Sequence, residues 1–115
     1  MSVTIFHNPR CSKSRQTLQL LNDNGVEPTI VEYLKETPDL EQLTIVVKKL
    51  GVAVRDVMRK KEPEYKAVGA DDASLSEQQL LALIVTTPKL LERPIVINGD
   101  KAVIGRPPEN VLDII

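Results

Sequence analysis

The run Ile95-Val96-Ile97, then Asn98-Gly99-Asp100, then Ala102-Val103-Ile104 constrains the fold more than any other stretch of the chain. Two β-branched segments joined by a short Asn-Gly link close into an antiparallel hairpin, because such turns need positive φ values that these residues adopt at little cost. Val3-Thr4-Ile5-Phe6 is a second source of strand, closed by the loop His7-Asn8-Pro9. From Ser12 the sequence carries no Gly or Pro until Gly25, and Leu18, Leu20 and Leu21 recur at helical spacings, so a helix beginning near Cys11 and stopping at Asn24-Gly25 follows. Thr29 to Leu34 then reads as another strand. Strand, helix and strand with short links make a parallel βαβ unit with a right-handed crossover.

The middle of the chain is helical. Thr37-Pro38 starts a segment in which Leu40, Leu43, Val46, Val47 and Leu50 form one stripe, ended by Gly51. A short helical stretch is expected over 54–59, then a polar break at Lys60-Lys61-Glu62-Pro63. Another helix is expected over 76–85, with Ser76 and Gln79 spaced as a capping box. Pro107-Pro108 opens a last helix containing Val111, Leu112, Ile114 and Ile115. The order βαβ, helical block, ββα matches an α/β fold of thioredoxin type. Its four-stranded mixed sheet would belong to a single domain over 1–115 with a helical insertion at about 38–90.

Fifteen basic and sixteen acidic residues leave a net charge of −1, and neutralising many phosphates takes a visible Lys/Arg excess, so a nucleic-acid binder is not expected. No apolar run approaches the roughly 18–20 residues that span a bilayer, and the first residues lack the basic flank and apolar stretch of a signal peptide. A cytoplasmic protein is expected. The single cysteine, Cys11, has no partner for an internal disulfide, which suits a reducing compartment and turns attention to the thiol itself.

Cys11 lies where a strand hands over to a helix, and the unpaired N–H groups and dipole at a helix start favour an anion. His7, Arg10, Lys13 and Arg15 add positive potential, and the first acidic residue in the chain is Asp23, so a nucleophilic thiolate is favoured there. Ser14 stands where a Cys-x-x-Cys motif would carry its second cysteine; any disulfide chemistry must therefore use an outside thiol. The Ser14 hydroxyl is placed either to donate to the sulfur or to serve as an ordinary first-turn serine, and His7 either tunes the thiol or merely ends a strand. One His and one Cys cannot anchor a protein metal site. Arg59, Arg93 and Arg106 stand at edges of expected elements, and together their planar donor forks suit a tetrahedral oxyanion. Singly, each is the kind of arginine that sits solvated at a surface, and spacing alone does not bring them together. Pro94, before a strand, is a position where a cis bond can occur.

The segments 7–15 (His-Asn-Pro-Arg-Cys-Ser-Lys-Ser-Arg), 92–96 (Glu-Arg-Pro-Ile-Val) and 104–108 (Ile-Gly-Arg-Pro-Pro) resemble the glutaredoxin-coupled arsenate reductase (ArsC) family, nearest its YfgD-like branch. The resemblance covers essentially the whole chain and implies a thioredoxin-like fold. It implies that Cys11 is the nucleophile that attacks arsenate and that His7 and Ser14 keep it ionised. Arg59, placed by Val57-Met58-Arg59-Lys60, would bind the oxyanion with Arg93 and Arg106. It further implies a thiol–arsenate adduct attacked by glutathione, with glutaredoxin removing the glutathione as arsenite leaves, and no tightly bound cofactor or metal. A monomeric or weakly associating protein is expected. The loop Arg10-Cys11-Ser12-Lys13 is more basic than the Ala-Cys-Gly-Thr loop of the principal arsenate reductases.

Two other functions are compatible with this frame. A related group, the Spx-type regulators, uses the same fold to bind RNA polymerase, often with the Cys-x-x-Cys that this chain lacks. A glutathione-dependent thiol enzyme acting on another substrate is the other.

Overall fold

A computed structural model describes residues 2–115. Strands β1 (Val3–Phe6), β2 (Thr29–Val31), β3 (Ile95–Asn98) and β4 (Lys101–Ile104) form one sheet in the order β2-β1-β3-β4. β2 runs parallel to β1, whereas β3 is antiparallel to both β1 and β4, so the sheet is mixed as expected. The hairpin turns on Gly99 at φ +59, and among the described residues no non-glycine takes a positive φ, so the link is a Gly-first turn with Asn98 still in the strand.

The chain divides into two compact units, one made of the chain up to Glu36 with Arg93–Ile115 and the other of Thr37–Glu92. In the first, helix α1 (Ser12–Asp23) buries Ser14, Thr17 and Leu21 along one stripe. Leu21 joins Val3, Ile5, Val96 and Val111 in the core, with Leu18, Leu20, Val26, Val103 and Ile114 packed around them. Ile5, Val96 and Val103 are in register across three strands, so one sheet face receives the helix. The apolar end of the α1 stripe therefore anchors the helix, and its two polar residues lie toward the N-terminus, where Cys11 sits.

Two elements of this unit differ from expectation. β2 stops at Val31 because Glu32 begins a turn, its carbonyl accepting from the N–H groups of Lys35 (2.9 Å) and Glu36 (2.8 Å). The last helix is a 3-10 helix over Pro108–Asp113, a geometry used for short pieces. Asn110 ties it back through Nδ2 to the carbonyls of Ile104 (3.1 Å) and Arg106 (3.3 Å).

In the second unit, α2 (Leu40–Leu50) starts at a reciprocal Asp39/Gln42 capping box and stops at Gly51 with φ +69. α4 (Glu77–Thr86) starts at the expected Ser76/Gln79 box and lies against α2. A one-turn helix, α3 (Pro63–Ala67), opens at the last residue of the polar break 60–63. Arg55 holds this region together, its Nη1 donating to Tyr65 Oη (2.8 Å) and to the Ala70 carbonyl (2.5 Å) and its Nη2 to the Asp72 carbonyl (2.6 Å). The short helical stretch ends at Val57, and Met58 and Arg59 lie outside it: Met58 is extended and bridges Leu91, and the Arg59 N–H donates to the Leu90 carbonyl at 2.7 Å. No helix among the described residues is long and apolar enough to cross a membrane.

Candidate active site

The His7 N–H donates to the Val31 carbonyl at 2.8 Å, extending the pairing of β1 with β2 by one residue. Asn8 then builds the turn. Its carbonyl accepts from the Cys11 N–H (3.0 Å), its Oδ1 accepts from the Arg10 N–H (3.0 Å), and its own N–H donates to Ser14 Oγ (3.0 Å). Arg15 adds a clasp from Nη1 to the Pro9 carbonyl at 2.9 Å. Cys11 thereby becomes the extended residue immediately before α1, with φ −94 and ψ 123. The first i to i−4 bond of the helix runs from the Arg15 N–H to the Cys11 carbonyl (3.0 Å), so the N–H groups of Ser12, Lys13 and Ser14 lack an intrahelical acceptor. The sulfur stands at the positive end of a 12-residue helix.

Arg106 Nη1 lies 3.9 Å from Cys11 Sγ and 3.4 Å from the Arg93 carbonyl, so one guanidinium links the thiol to the segment that carries the second arginine. Both Arg93-Pro94 and Arg106-Pro107 are cis. Cys11 is free and only 9% exposed, whereas Arg10, Ser12 and Lys13 are solvent-exposed around it.

His7 and Ser14 are buried against each other, with His7 Nδ1 2.6 Å from Ser14 Oγ. Burial pushes the His7 pKa below its ordinary 6.5, the nearby Arg15 cation pushes it the same way, and Glu32 opposes both, so His7 is neutral at pH 7. A neutral imidazole presents one donor and one acceptor nitrogen. When Nδ1 carries the proton, Ser14 Oγ accepts from both His7 and Asn8 and its own proton is free to turn elsewhere.

Arg59 belongs to the second unit, where its Nη1 pairs with Glu62 Oε1 at 2.5 Å. The other Glu62 oxygen lies 3.7 Å from Lys89 Nζ, which also pairs with Glu64 at 3.1 Å. Of the six residues singled out by sequence, the structure brings Cys11 and Arg106 together, joins His7 to Ser14, and hangs Arg93 on Arg106 through its carbonyl.

Three residues that sequence reasoning passed over shape this site. Asn8 was legible only as part of an Asn-Pro loop. Glu32 reaches the His7 environment through strand pairing, and Thr17 reaches the carbonyl of Gly105 from 88 residues away. Among the described residues, no group of three His, Cys, Asp or Glu side chains is arranged to hold a metal ion.

The ArsC family model matches residues 6–114, which include the loop, Cys11 and all three arginines. The chain belongs to the ArsC family. Among its ArsC relatives, it is 54% identical over 114 residues to the uncharacterized protein YfgD of Escherichia coli K12, covering 98% of this chain and 96% of the relative. It is 51% identical over 116 residues to a protein of Haemophilus influenzae named arsenate reductase, with both chains covered completely. A solved arsenate reductase from Vibrio cholerae superposes with a TM-score of 0.97 at 47% identity, covering 100% of this chain and 98% of that one. The ArsC fold is thioredoxin-like, and the mixed sheet with α1 on one face is the form it takes here.

Proposed function

We propose that this chain is an arsenate reductase in which Cys11 attacks arsenate and external thiols complete the reduction. The observation that carries the reading is the approach of Arg106 Nη1 to Cys11 Sγ, 3.9 Å, at the N-terminus of α1. A cation and a helix start beside the sulfur favour a thiolate and an incoming oxyanion together.

The Cys11 thiolate displaces one arsenate oxygen as water and forms a sulfur–arsenic bond. The arsenate charge is held by Arg106 and Arg93 and, by family resemblance, by Arg59. His7 and Ser14 support the anionic sulfur by holding the Asn8 turn. The thiol of glutathione then attacks Cys11 Sγ. A disulfide forms, the electron pair of the sulfur–arsenic bond stays with arsenic, As(V) becomes As(III), and the thiol proton leaves with arsenite. Glutaredoxin takes up the glutathione moiety and restores Cys11. The chain has no second cysteine, so the reductants must come from outside it. Abundant glutathione places this chemistry in the cytoplasm, and the reading needs no resident cofactor, no metal and no second copy of the chain.

The test is NADPH-coupled arsenate reduction with glutathione, glutaredoxin and glutathione reductase, leaving out each thiol component in turn. Turnover is expected to need all of them and to vanish in a folded Cys11→Ser variant. Turnover that survives this substitution would sink the assignment of the nucleophile.

A further inference from the structure

Gly105 uses all of its backbone groups to join three segments. Its N–H donates to the Pro94 carbonyl at 2.9 Å, next to Arg93. Its carbonyl lies 3.3 Å from Thr17 Oγ1 on α1, the helix that Cys11 begins. The residue after it is Arg106, whose guanidinium meets the sulfur. A Cβ on Gly105 would stand 2.6 Å from Thr17 Oγ1 and 2.9 Å from Pro94 Cγ, closer than non-bonded atoms approach, so only glycine allows the three segments to meet. Gly105 does not have a positive φ; the glycine is required for approach and not for backbone conformation.

Thr17 is the polar residue at this junction and is fully buried. Its hydroxyl proton is shared between the Lys13 carbonyl one turn back, at 2.8 Å, and the Gly105 carbonyl. The first is a bond any helical threonine makes, and the second is the link between α1 and the corner that carries Arg106. Thr17 lies six residues along the chain from Cys11, about 9 Å along the helix axis. A shift of the corner on α1 at Thr17 therefore moves the Arg106 backbone relative to the sulfur.

We propose that Thr17 and Gly105 are positioning residues for oxyanion binding, setting the Arg106 guanidinium against Cys11 without touching the substrate. This rests on the reading of Arg106 as an oxyanion ligand. The two residues act on how tightly the oxyanion is held and, through the distance of the Arg106 cation from the sulfur, on how strongly the thiolate is favoured.

The experiment is protection of Cys11 from iodoacetamide by increasing arsenate, in the wild type, Thr17→Val, Thr17→Ser, Gly105→Ala and Arg106→Ala. Thr17→Val keeps the shape and removes the hydroxyl. The arsenate concentration giving half protection is expected to rise about tenfold in Thr17→Val and in Gly105→Ala, as a displaced binding group predicts. Thr17→Ser is expected to stay near wild type, and the alkylation rate without arsenate is expected not to rise in Thr17→Val or Gly105→Ala, since moving the Arg106 cation away from the sulfur weakens the thiolate. Should Gly105→Ala fail to fold, Thr17→Val carries the test. Wild-type protection by arsenate in Thr17→Val, alongside its loss in Arg106→Ala, would overturn the inference. So would a rise in the arsenate-free alkylation rate that matches the change in midpoint, since that marks general loosening. No protection in the wild type would overturn the oxyanion reading itself, and the inference with it.

Discussion

His7 Nδ1 and Ser14 Oγ are 2.6 Å apart, and the same Ser14 oxygen accepts the Asn8 N–H at 3.0 Å. One buried hydroxyl thus closes the loop that presents Cys11, tying the end of β1 to the first turn of α1. Removing it in Ser14→Ala leaves a ring nitrogen and an N–H without their partner in a buried setting. The expected loss of stability is about 1–3 kcal/mol, measured by urea unfolding at pH 7.5. A loss in the few tenths of a kcal/mol typical of a surface site would contradict this role.

The depressed His7 pKa makes stability depend on pH. The unfolded chain takes up a proton near the ordinary 6.5, while the buried, folded imidazole takes it up only at lower pH. Between these two points the unfolded state holds more protons, so stability rises with pH. The His7 contribution is complete above 6.5 and falls as the pH drops below it through the folded pKa. Urea midpoints followed from pH 8 to pH 5 should decline over the acid side of this range in the wild type. They should decline less steeply in His7→Asn, which has no titrating group there. Parallel curves would show that His7 titrates alike in both states.

Arg59 is engaged by the Glu62 carboxylate, and on the proposed reading an arsenate bound by Arg59 shares or displaces that partner. The expected result of Glu62→Gln is a lower KM for arsenate, and of Arg59→Ala a higher one, each read in the coupled assay with kcat measured separately. A charge-assisted contact is worth about 1.5–3 kcal/mol, which corresponds to one to two orders of magnitude in kcat/KM for the Arg59 variant. Unchanged KM in both variants would remove Arg59 from the oxyanion site.

Leu21 is fully buried in the core that anchors α1 to the sheet. Leu21→Ala should cost about 2–5 kcal/mol through lost burial and an unfilled cavity. A change below 1 kcal/mol in denaturant unfolding would mean that α1 is not held through this residue.

The sequence by itself determined the features that neighbouring residues decide among themselves. Gly99 turns the hairpin, Gly25 and Gly51 end helices at positive φ, and Ser76 with Gln79 starts α4. The placement of Cys11 just before a helix was legible for the same reason, since the strand, the loop and the helix start lie within a dozen residues. Tertiary structure alone decided where β2 stops, that the final segment winds as a 3-10 helix, and that Arg59 follows an extended Met58 paired with Leu91. It also decided what stands around the sulfur. Arg106 meets Cys11 across 95 residues, Thr17 meets Gly105 across 88, and Glu32 reaches His7 through β1–β2 pairing. Local patterns record backbone preference and the period of burial. Contacts between distant segments depend on how close two backbones can pack, and at Gly105 that distance is set by the absence of one carbon atom.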